Sequence, residues 1–327
     1  MLLSFEQCNS LIDRQLGRFF VSNRAPAGLY EPVDYVMFSD GKRIRPILTL
    51  MACNLFCDEV DDALIPAVAF EIFHNFTLLH DDLMDNADVR RNRPTVHKRW
   101  CANTAILSGD AMMTLAFQHI CGARPDVLST LLDTFTNTAL KVCEGQQYDM
   151  DFEQRNDVSI DEYLKMIRLK TAALLAACLK AGAICGRATT ENTELLYQTG
   201  ISLGISFQIQ DDWLDLYGNP DVFGKATGGD ILSAKKTFLL LTALRVADEK
   251  TGKELILLLQ NSSIAADEKI DRVKAIYNRL GVSNIAQQAV AQYYQQAMSH
   301  LQDAAIPDPS RKAVLTSFAE KLLKRKK

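Results

Sequence analysis

The chain has 327 residues, of which 48% are hydrophobic and 23% are charged, the balance of a globular protein with a sizeable core. Its 36 basic and 40 acidic residues leave a net charge of −4, which gives no overall attraction to nucleic acid or to an anionic membrane. These properties argue against a mainly disordered chain and against a general polyanion-binding protein. Any chemistry on phosphate groups must therefore rest on local basic clusters.

The eight cysteines contain no C-x-x-C pair and no spacing typical of a zinc site. Several lie in apolar helical stretches, such as Cys178 within 171–185, and are expected to be unpaired core thiols of a reducing compartment. The first residues lack the basic start and apolar core of a secretory signal, and the longest apolar run, 171–185, is too short to span a bilayer. We expect a cytoplasmic protein without an integral membrane segment.

Helical periodicity dominates the chain. Apolar residues recur at intervals of three and four, most clearly over 126–219, where proline is absent, and no run alternates in the manner of a strand. Turn-forming residues are grouped in five short stretches, which are "NRAPAG" at 23–28, "ARPD" at 123–126, "YGNPD" at 217–221, "ATGGD" at 226–230 and "AIPDPS" at 305–310. None of these stretches resembles an interdomain linker. The sequence predicts an all-α fold with a single domain over 1–327.

The first basic cluster is "GKRIRP" at 41–46, directly before an apolar helical run. Pro46 suits the first turn of that helix. Lys42, Arg43 and Arg45 are spaced to cradle a phosphate group, although such a cluster by itself is more often solvated surface.

The first acidic motif is "HDDLMD" at 80–85. On a helix, Asp81 and Asp85 are separated by about 40° around the axis and stand one turn apart, so they present two carboxylates to one point. Asp82 falls to the side and is expected to orient or support the other two. Because "FTLLH" continues the helix into apolar positions, the acids lie at the border between core and solvent, where they need cations.

The second acidic motif, "FQIQDDWLDLYG" at 207–218, repeats this geometry with Asp211 and Asp215 on one face and Asp212 displaced. Carboxylates without histidine or thiolate partners suit a hard ion, and Mg²⁺ binds one or two carboxylates together with water and substrate phosphates. The spacing and the missing central glycine exclude an EF-hand calcium loop. The two motifs therefore predict magnesium sites.

Arg90 and Arg91 follow the first acidic motif closely, where guanidinium groups can hold phosphate oxygens. A further set, Lys225, Lys235 and Lys236, flanks the "ATGGD" turn. Two acidic motifs with three basic clusters predict two phosphate-bearing ligands, one held through metal and one held directly by cations.

These residues resemble those of the trans-type isoprenyl diphosphate synthases, or polyprenyl synthetases. The motifs that carry the resemblance follow in the family's order and cover most of the chain: "GKRIRP", "HDDLMDNADVRRNRPTVH", "LSGDAMM", "GQQYD", "LKTAALL", "FQIQDDWLDLYG" and "GKATGGDILSAKKT". Asn92 replaces a glycine that is common after the arginine pair, so the conformation of this turn is not predicted. The resemblance implies an all-helical bundle around a central apolar cavity, a homodimer, and the joining of isopentenyl diphosphate to an allylic diphosphate.

The resemblance also implies roles for individual residues, with about three Mg²⁺ ions in each active site. Direct Mg²⁺ ligands are expected at Asp81, Asp85 and Asp211, with further metal contacts, partly through water, at Asp82, Asp212 and Asp215. The allylic diphosphate is expected to bind Arg90, Lys170, Lys225 and Lys235. Isopentenyl diphosphate is expected to bind Lys42, Arg45, His74 and Arg91.

Three further residues are assigned mainly by the resemblance. Thr171 and Gln208 match family positions that line the reacting carbons, and Gln208 also shares a helix face with Asp212. His74 precedes Asp81 by seven residues and lies within about 20° of it on the same face. A lone histidine on an apolar face is more often a core residue, so geometry supports its substrate role without establishing it.

Product length is expected to depend on the helix before the first acidic motif, along which the growing hydrocarbon runs. Phe76 lies about 7 to 8 Å from Asp81 along the axis and Phe73 about 12 Å, and the helical wheel does not decide which ring meets the tail. Thr77 is about 40° from Asp81. An aromatic residue at Phe76 resembles the archaeal-type geranylgeranyl diphosphate synthases and implies a C20 product, with C15 farnesyl diphosphate as the alternative. Phe76, Thr77 and Phe73 are therefore the candidate chain-length residues. Core packing is the alternative for either aromatic ring and is favoured for Phe73.

Other functions compete with this one. A terpene cyclase normally carries Asn, Ser or Glu ligands at its second metal site, which Asp211 and Asp215 argue against. A noncatalytic partner subunit of a prenyl synthase would be expected to have degraded metal motifs, whereas both are complete. A head-to-head condensing enzyme of the squalene synthase type would require different acidic signatures.

Overall fold

A computed structural model of the chain describes residues 2–19, 21–218 and 227–323. The structure is 77% helical with almost no strand, which confirms the predicted all-α fold. The α-helices are α1 (Phe5–Leu16), α2 (Ala27–Met37), α3 (Ile44–Asn54), α4 (Asp61–Met84), α5 (Val96–Arg99), α6 (Ala102–Ile120), α7 (Pro125–Glu153), α8 (Ile160–Ile167), α9 (Ala173–Cys185), α10 (Thr190–Tyr217), α11 (Gly229–Leu232), α12 (Phe238–Val246), α13 (Glu249–Gln260), α14 (Ala266–Arg279), α15 (Val282–Asp303) and α16 (Lys312–Leu323). A π-helical segment, Arg168–Ala172, joins α8 to α9, and a short 3₁₀ turn, Pro309–Arg311, precedes α16.

Helix starts follow local sequence signals. Ser4 caps α1 and Ser159 caps α8 with a capping box. The serine hydroxyl accepts from the backbone N–H three positions later, and the side chain of that later residue accepts from the backbone N–H of the serine. Thr237 caps α12 in a similar way through its hydroxyl. Helix α7 begins at Pro125, inside the predicted "ARPD" turn, where proline's fixed φ and missing N–H fit a helix start.

A small antiparallel hairpin follows the first acidic motif, and the sequence did not predict it. Strands β1 (Val89–Arg90) and β2 (Arg93–Pro94) pair with Arg90 opposite Arg93. The two turn residues, Arg91 and Asn92, have φ of +52° and +59°, the combination of a type I′ turn. Asparagine tolerates this left-handed region better than most residues, so Asn92 can replace the expected glycine.

The chain divides into two compact units. The first unit contains residues 1–138, 177–197 and 304–315, and it carries the first acidic motif. The second unit contains 139–176, 198–303 and 316–327, and it carries the second acidic motif. A single domain over 1–327 therefore stays a prediction.

Each unit has its own core. In the first unit, α3 and α4 bury Ile47, Leu48 and Phe70 completely. Among the described residues, α4 alone is long and apolar enough to cross a membrane, but most of its apolar stretch is buried inside the protein, as in a core helix. In the second unit, Val273 and Tyr277 of α14 pack in one apolar cluster with residues of α10, α12 and α13.

Candidate active site

The first acidic motif lies at the carboxyl end of α4. Asp81 is half-buried in the last turn and Asp85 is the exposed residue that ends the helix. The backbone N–H of Asp85 donates to the carbonyl oxygen of Asp81 at 2.8 Å, so the two residues stand one turn apart, as their spacing predicts. Asp82, unlike them, is buried and only 6% exposed.

Asp82 is held by a cation from the hairpin. Nε of Arg90 donates to Oδ1 of Asp82 at 2.7 Å. Burial raises the pKa of Asp82, and the charge of Arg90 opposes that rise. The hairpin thus supplies the countercharge that a buried carboxylate needs, while direct metal contact by Asp82 stays a prediction.

A cationic cluster forms beside the first motif, between α3, α4 and the hairpin. Nη1 of Arg45 donates to Nε2 of His74 at 3.0 Å, and Nη1 of Arg91 donates to the hydroxyl of Ser39 at 2.9 Å. Burial and then the charges of Arg45 and Arg91 hold the pKa of His74 well below its usual value. The imidazole is therefore neutral at pH 7 and accepts from Arg45. Lys42, which lies in the "GKRIRP" segment just before α3, is exposed.

Arg43 has a different role from its neighbours in "GKRIRP". Its guanidinium group binds the buried carboxylate of Glu71 at 2.7 Å and the carbonyl oxygens of Met37 and Ser39. These contacts occupy Arg43 within the protein. The predicted phosphate cradle is therefore reduced to Lys42 and Arg45 in this segment.

The second acidic motif lies near the carboxyl end of α10. Asp211 is exposed, Asp215 is half-buried, and Asp212 is 7% exposed. Asp212 accepts hydrogen bonds from the hydroxyl of Tyr163, from the backbone N–H of Phe238 at 3.0 Å and from Nε2 of Gln208 at 3.1 Å. Burial nevertheless raises the pKa of Asp212 to about 6. Neutral donors hold this buried carboxyl, and the charge of Lys235 opposes the rise in its pKa.

The π-helical segment carries Lys170 and Thr171, two of the predicted site residues. Nζ of Lys170 binds Oδ2 of Asp149 at 2.6 Å, and the hydroxyl of Thr171 donates to Oε1 of Gln208 at 3.1 Å. Segments of this type occur frequently at functional sites. The sequence did not reveal the π segment, and Asp149 was missed as a partner of Lys170 although it lies in the quoted "GQQYD" motif.

Gly145, the first residue of the same motif, explains how the π segment is accommodated. A Cβ atom at this position would lie 2.3 Å from the backbone nitrogen of Lys170. No side chain fits there, so α7 and the π segment approach each other closely only because residue 145 is glycine. The motif thus fixes the position of Lys170 through backbone contact as well as through the ion pair with Asp149.

Asp230 is a further acidic residue that the sequence reasoning missed. Its backbone N–H donates to Oδ2 of Asp215 at 3.1 Å, and its side chain lines a small cavity with Asp212, Asp215 and Lys235. Burial and then the charges of Asp212 and Asp215 raise the pKa of Asp230 to about 7. The "ATGGD" turn signal was available, but only the fold brings Asp230 to the motif. Lys225 lies outside the described residues.

The donor set fits Mg²⁺. Within 2–19, 21–218 and 227–323, no three Asp, Glu, His or Cys side chains form a preformed metal site. Mg²⁺ does not require one, because it usually binds one or two protein carboxylates and completes its shell with water and phosphate oxygens. Asp81 and Asp85 on one helix, and Asp211 and Asp215 on another, offer that kind of incomplete carboxylate set.

The predicted chain-length residues lie one to two turns before Asp81. Phe76 is half-buried, and its ring centroid is 5.6 Å from that of Phe73, which is 1% exposed and 5.4 Å from Phe135. Phe73 therefore packs in the core beneath Phe76. The hydroxyl of Thr77 donates to the carbonyl oxygen of His74 at 2.8 Å.

An all-helical fold with two aspartate-rich helix ends and an adjoining cationic cluster defines an isoprenoid synthase-type protein. The polyprenyl synthetase family matches residues 26–280. The chain is 34% identical to a short chain isoprenyl diphosphate synthase of Methanothermobacter thermautotrophicus over 93% of each protein. It is 34% identical to a geranylgeranyl diphosphate synthase of Sulfolobus acidocaldarius over 94% of each. A crystal structure of a geranylgeranyl pyrophosphate synthase is 41% identical, with a TM-score of 0.94, over 99% of this chain and 100% of that one.

The chain belongs to the polyprenyl synthetase family. It is a trans-prenyltransferase.

Proposed function

We propose that the protein condenses isopentenyl diphosphate with allylic diphosphates in a head-to-tail manner, and that its main product is geranylgeranyl diphosphate (C20). The observation that carries the proposal is the pair of one-turn carboxylate sets, each with its middle aspartate locked by the protein. Relatives named geranylgeranyl diphosphate synthase support the product length. Farnesyl diphosphate (C15) is the alternative product.

The outer carboxylates Asp81, Asp85 and Asp211 would hold Mg²⁺, with Asp215 nearby. Bound Mg²⁺ neutralises negative charge on a diphosphate leaving group. Arg90, Lys170, Lys225 and Lys235 bind the same diphosphate and stabilise the charge that develops as its allylic carbon–oxygen bond breaks. The middle residues Asp82 and Asp212 orient their neighbours: Asp82 positions Arg90, and Asp212 positions Gln208.

Isopentenyl diphosphate binds the cationic cluster of Lys42, Arg45, His74 and Arg91. His74 is neutral and accepts from Arg45, so it orients that guanidinium group without adding charge. The cluster holds the second substrate so that its double bond attacks the allylic cation, and this positioning supplies much of the rate. The condensed cation then loses a proton to the departing diphosphate, which leaves the new double bond of the product. Thr171 and Gln208, which are hydrogen-bonded to each other, line the reacting carbons.

The test is an incubation of purified protein with Mg²⁺, isopentenyl diphosphate and each of the C5, C10 and C15 allylic diphosphates, followed by mass analysis of the dephosphorylated products. A C20 alcohol as main product supports the proposal, and a C15 alcohol supports the alternative. No extension from any starter identifies a noncatalytic partner subunit. A cyclised hydrocarbon identifies a terpene cyclase.

Product length is proposed to be set by Phe76 as the floor of the hydrocarbon path, with Phe73 supporting it from beneath and Thr77 beside it. Phe76→Ala is expected to lengthen the main product by at least one isoprene unit, because the tail then passes the missing ring. Phe56→Ala, which removes a half-buried ring from the same unit, is the matched control. An unchanged product from F76A would show that the floor lies elsewhere.

We also propose a homodimer in a reducing cytoplasm. Ile106 and Leu107 on α6 are 46% and 59% exposed, an apolar pair that a second copy of the chain would cover. All eight cysteines are unpaired thiols, which supports a reducing compartment. Sedimentation equilibrium of the wild type and of I106E/L107E tests the dimer, since the double variant is expected to sediment as a monomer.

A further inference from the structure

His80, the residue directly before Asp81, is packed in an unusual way against α6. A Cβ atom on Gly109 would lie 2.1 Å from Nε2 of His80, so the imidazole rests on the helix backbone at the one position without a side chain. Nε2 donates to the carbonyl oxygen of Ile106 at 3.3 Å. The ring is thus held by close contact with α6 and by a hydrogen bond.

The other side of the imidazole contacts Phe76. The two ring centroids are 4.7 Å apart with an interplanar angle of 65°, an edge-on arrangement that aromatic rings favour. Phe76 and His80 are four residues apart on α4 and therefore share one side of the helix. His80 is therefore in direct contact with the proposed floor residue.

Phe76 is consequently held from two directions. The ring centroid of Phe73 lies 5.6 Å from that of Phe76, and Phe73 packs in the core against Phe135. His80 contacts Phe76 from the side nearer to Asp81. In the proposed function, the distance from the carboxylate of Asp81 to the ring of Phe76 limits the length of a prenyl chain whose diphosphate is bound at Asp81. Any rotation of the Phe76 ring changes this distance, so a uniform product length depends on the contacts that restrain the ring.

We propose that His80, seated on Gly109, is a positioning residue that sets product length by restraining the ring of Phe76. This inference rests on the proposed function of Phe76 as the floor of the hydrocarbon path. Without the imidazole, the ring of Phe76 turns aside in part of the population, and those molecules extend the product further.

The experiment compares the product distributions of H80A, H80Q, F76A and H80A/F76A. Gln keeps a side-chain amide that can reach the carbonyl oxygen of Ile106 but lacks the ring, so it separates the hydrogen bond from the aromatic contact. In H80A and H80Q the ratio of the next longer product to the main product is expected to rise about two- to tenfold, the change that loss of one aromatic contact supports. In the F76A background, H80A is expected to add nothing, because its effect acts through Phe76.

His119→Ala is the matched control. His119 also contacts a phenylalanine edge-on, with 6.3 Å between its centroid and that of Phe19, but it lies at the far end of α6. It should leave the product distribution unchanged. Unfolding midpoints of all variants show whether any shift in product follows a general loss of structure, and H80Q is expected to disturb the fold least because it keeps the hydrogen bond to Ile106.

The outcomes separate this inference from the proposal on which it rests. If F76A lengthens the product while H80A and H80Q do not, His80 is not a positioning residue, but Phe76 remains the floor. Additional lengthening by H80A in the F76A background also overturns the inference, because His80 would then act independently. If F76A leaves the product unchanged, both the floor and the inference fail.

Discussion

The ends of α4 and α10 carry the same D-D-x-x-D pattern, but the protein stabilises the buried middle aspartate of each motif in a different way. Their middle aspartates are buried to nearly the same degree, with Asp82 6% and Asp212 7% exposed. Asp82 is neutralised by the guanidinium group of Arg90, whereas Asp212 is held by the neutral donors of Tyr163, Gln208 and a backbone N–H. Identical motifs therefore need not have identical support.

The difference changes the charge around each motif. Near α4, Arg90 cancels part of the negative charge. Near α10, Asp230 adds a further carboxyl, and burial together with charge repulsion raises its pKa to about 7. Among the described residues, the second motif thus has one more acidic group than the first, and the charge of Lys235 opposes the rise in the pKa of Asp212 and of Asp230.

The largest expected effect concerns what the two ends share. Asp81→Ala and Asp211→Ala should each lower kcat by about a thousandfold or more, because each removes a proposed ligand of the metal that stabilises the leaving diphosphate. Steady-state turnover at saturating Mg²⁺ measures the loss. Asp267→Ala, at an exposed acid in the first turn of α14, should retain activity. Retained turnover in D81A or D211A would remove the metal-clamp mechanism.

The next prediction concerns the middle aspartates. Asp212→Ala leaves several buried donors without an acceptor and should reduce the free energy of unfolding by about 3 kcal/mol. Asp82→Ala should cost only about 1 kcal/mol, since the side chain of Arg90 is 37% exposed and regains contact with water. Urea unfolding of both variants tests the difference, with the isosteric D212N and D82N for comparison. Equal losses would mean that the two supports are equivalent.

Two glycines give a third contrast. Gly145→Ala places a Cβ against the backbone of Lys170 and should destabilise the protein by about 2 to 3 kcal/mol, because a backbone cannot move aside easily. Gly109→Ala meets the end of the His80 side chain and should cost about 1 kcal/mol. Thermal unfolding measures both effects. The double variant H80A/G109A should recover stability relative to G109A, and no recovery would place the conflict at another atom.

The smallest expected effect is a salt dependence. Double-mutant cycles on stability, R90Q with D82N and Y163F with D212N, should each give a coupling of about 1 kcal/mol at low salt. At about 1 M NaCl the first coupling should fall by more than half, because ions screen a half-exposed charge pair, while the second should not change. If the coupling between Tyr163 and Asp212 also fell at high salt, their assignment as a buried pair that ions do not screen would be wrong.

Local sequence patterns predicted a large part of this protein. Periods of three and four residues predicted the all-α fold, and the four-residue spacing of Asp81 and Asp85 predicted their one-turn separation, which the hydrogen bond between their backbones confirms. The helical wheel also set Asp82 and Asp212 apart from the outer acids. These successes share one cause: residues three to eight positions apart on a helix are related by helix geometry alone.

The missed features depend on residues distant in sequence. Asp149 meets Lys170 across 21 positions, and Asp230 meets Asp215 across 15. The π segment forms where Gly145 admits the backbone of Lys170, and no period in the sequence signals such a contact. The hairpin required a left-handed conformation at Arg91, which sequence does not favour at that residue.

By itself, the sequence determined the helical class, the family and the two sets of outer carboxylates, since each depends on residue type and short-range spacing. The tertiary structure alone decided that Arg90 serves Asp82, that Tyr163 and Gln208 serve Asp212, and that His80 rests on Gly109 against Phe76. The physical reason is that the free energy of burying a charge or fixing a ring depends on which atoms meet in space. That meeting is settled only when the helices pack.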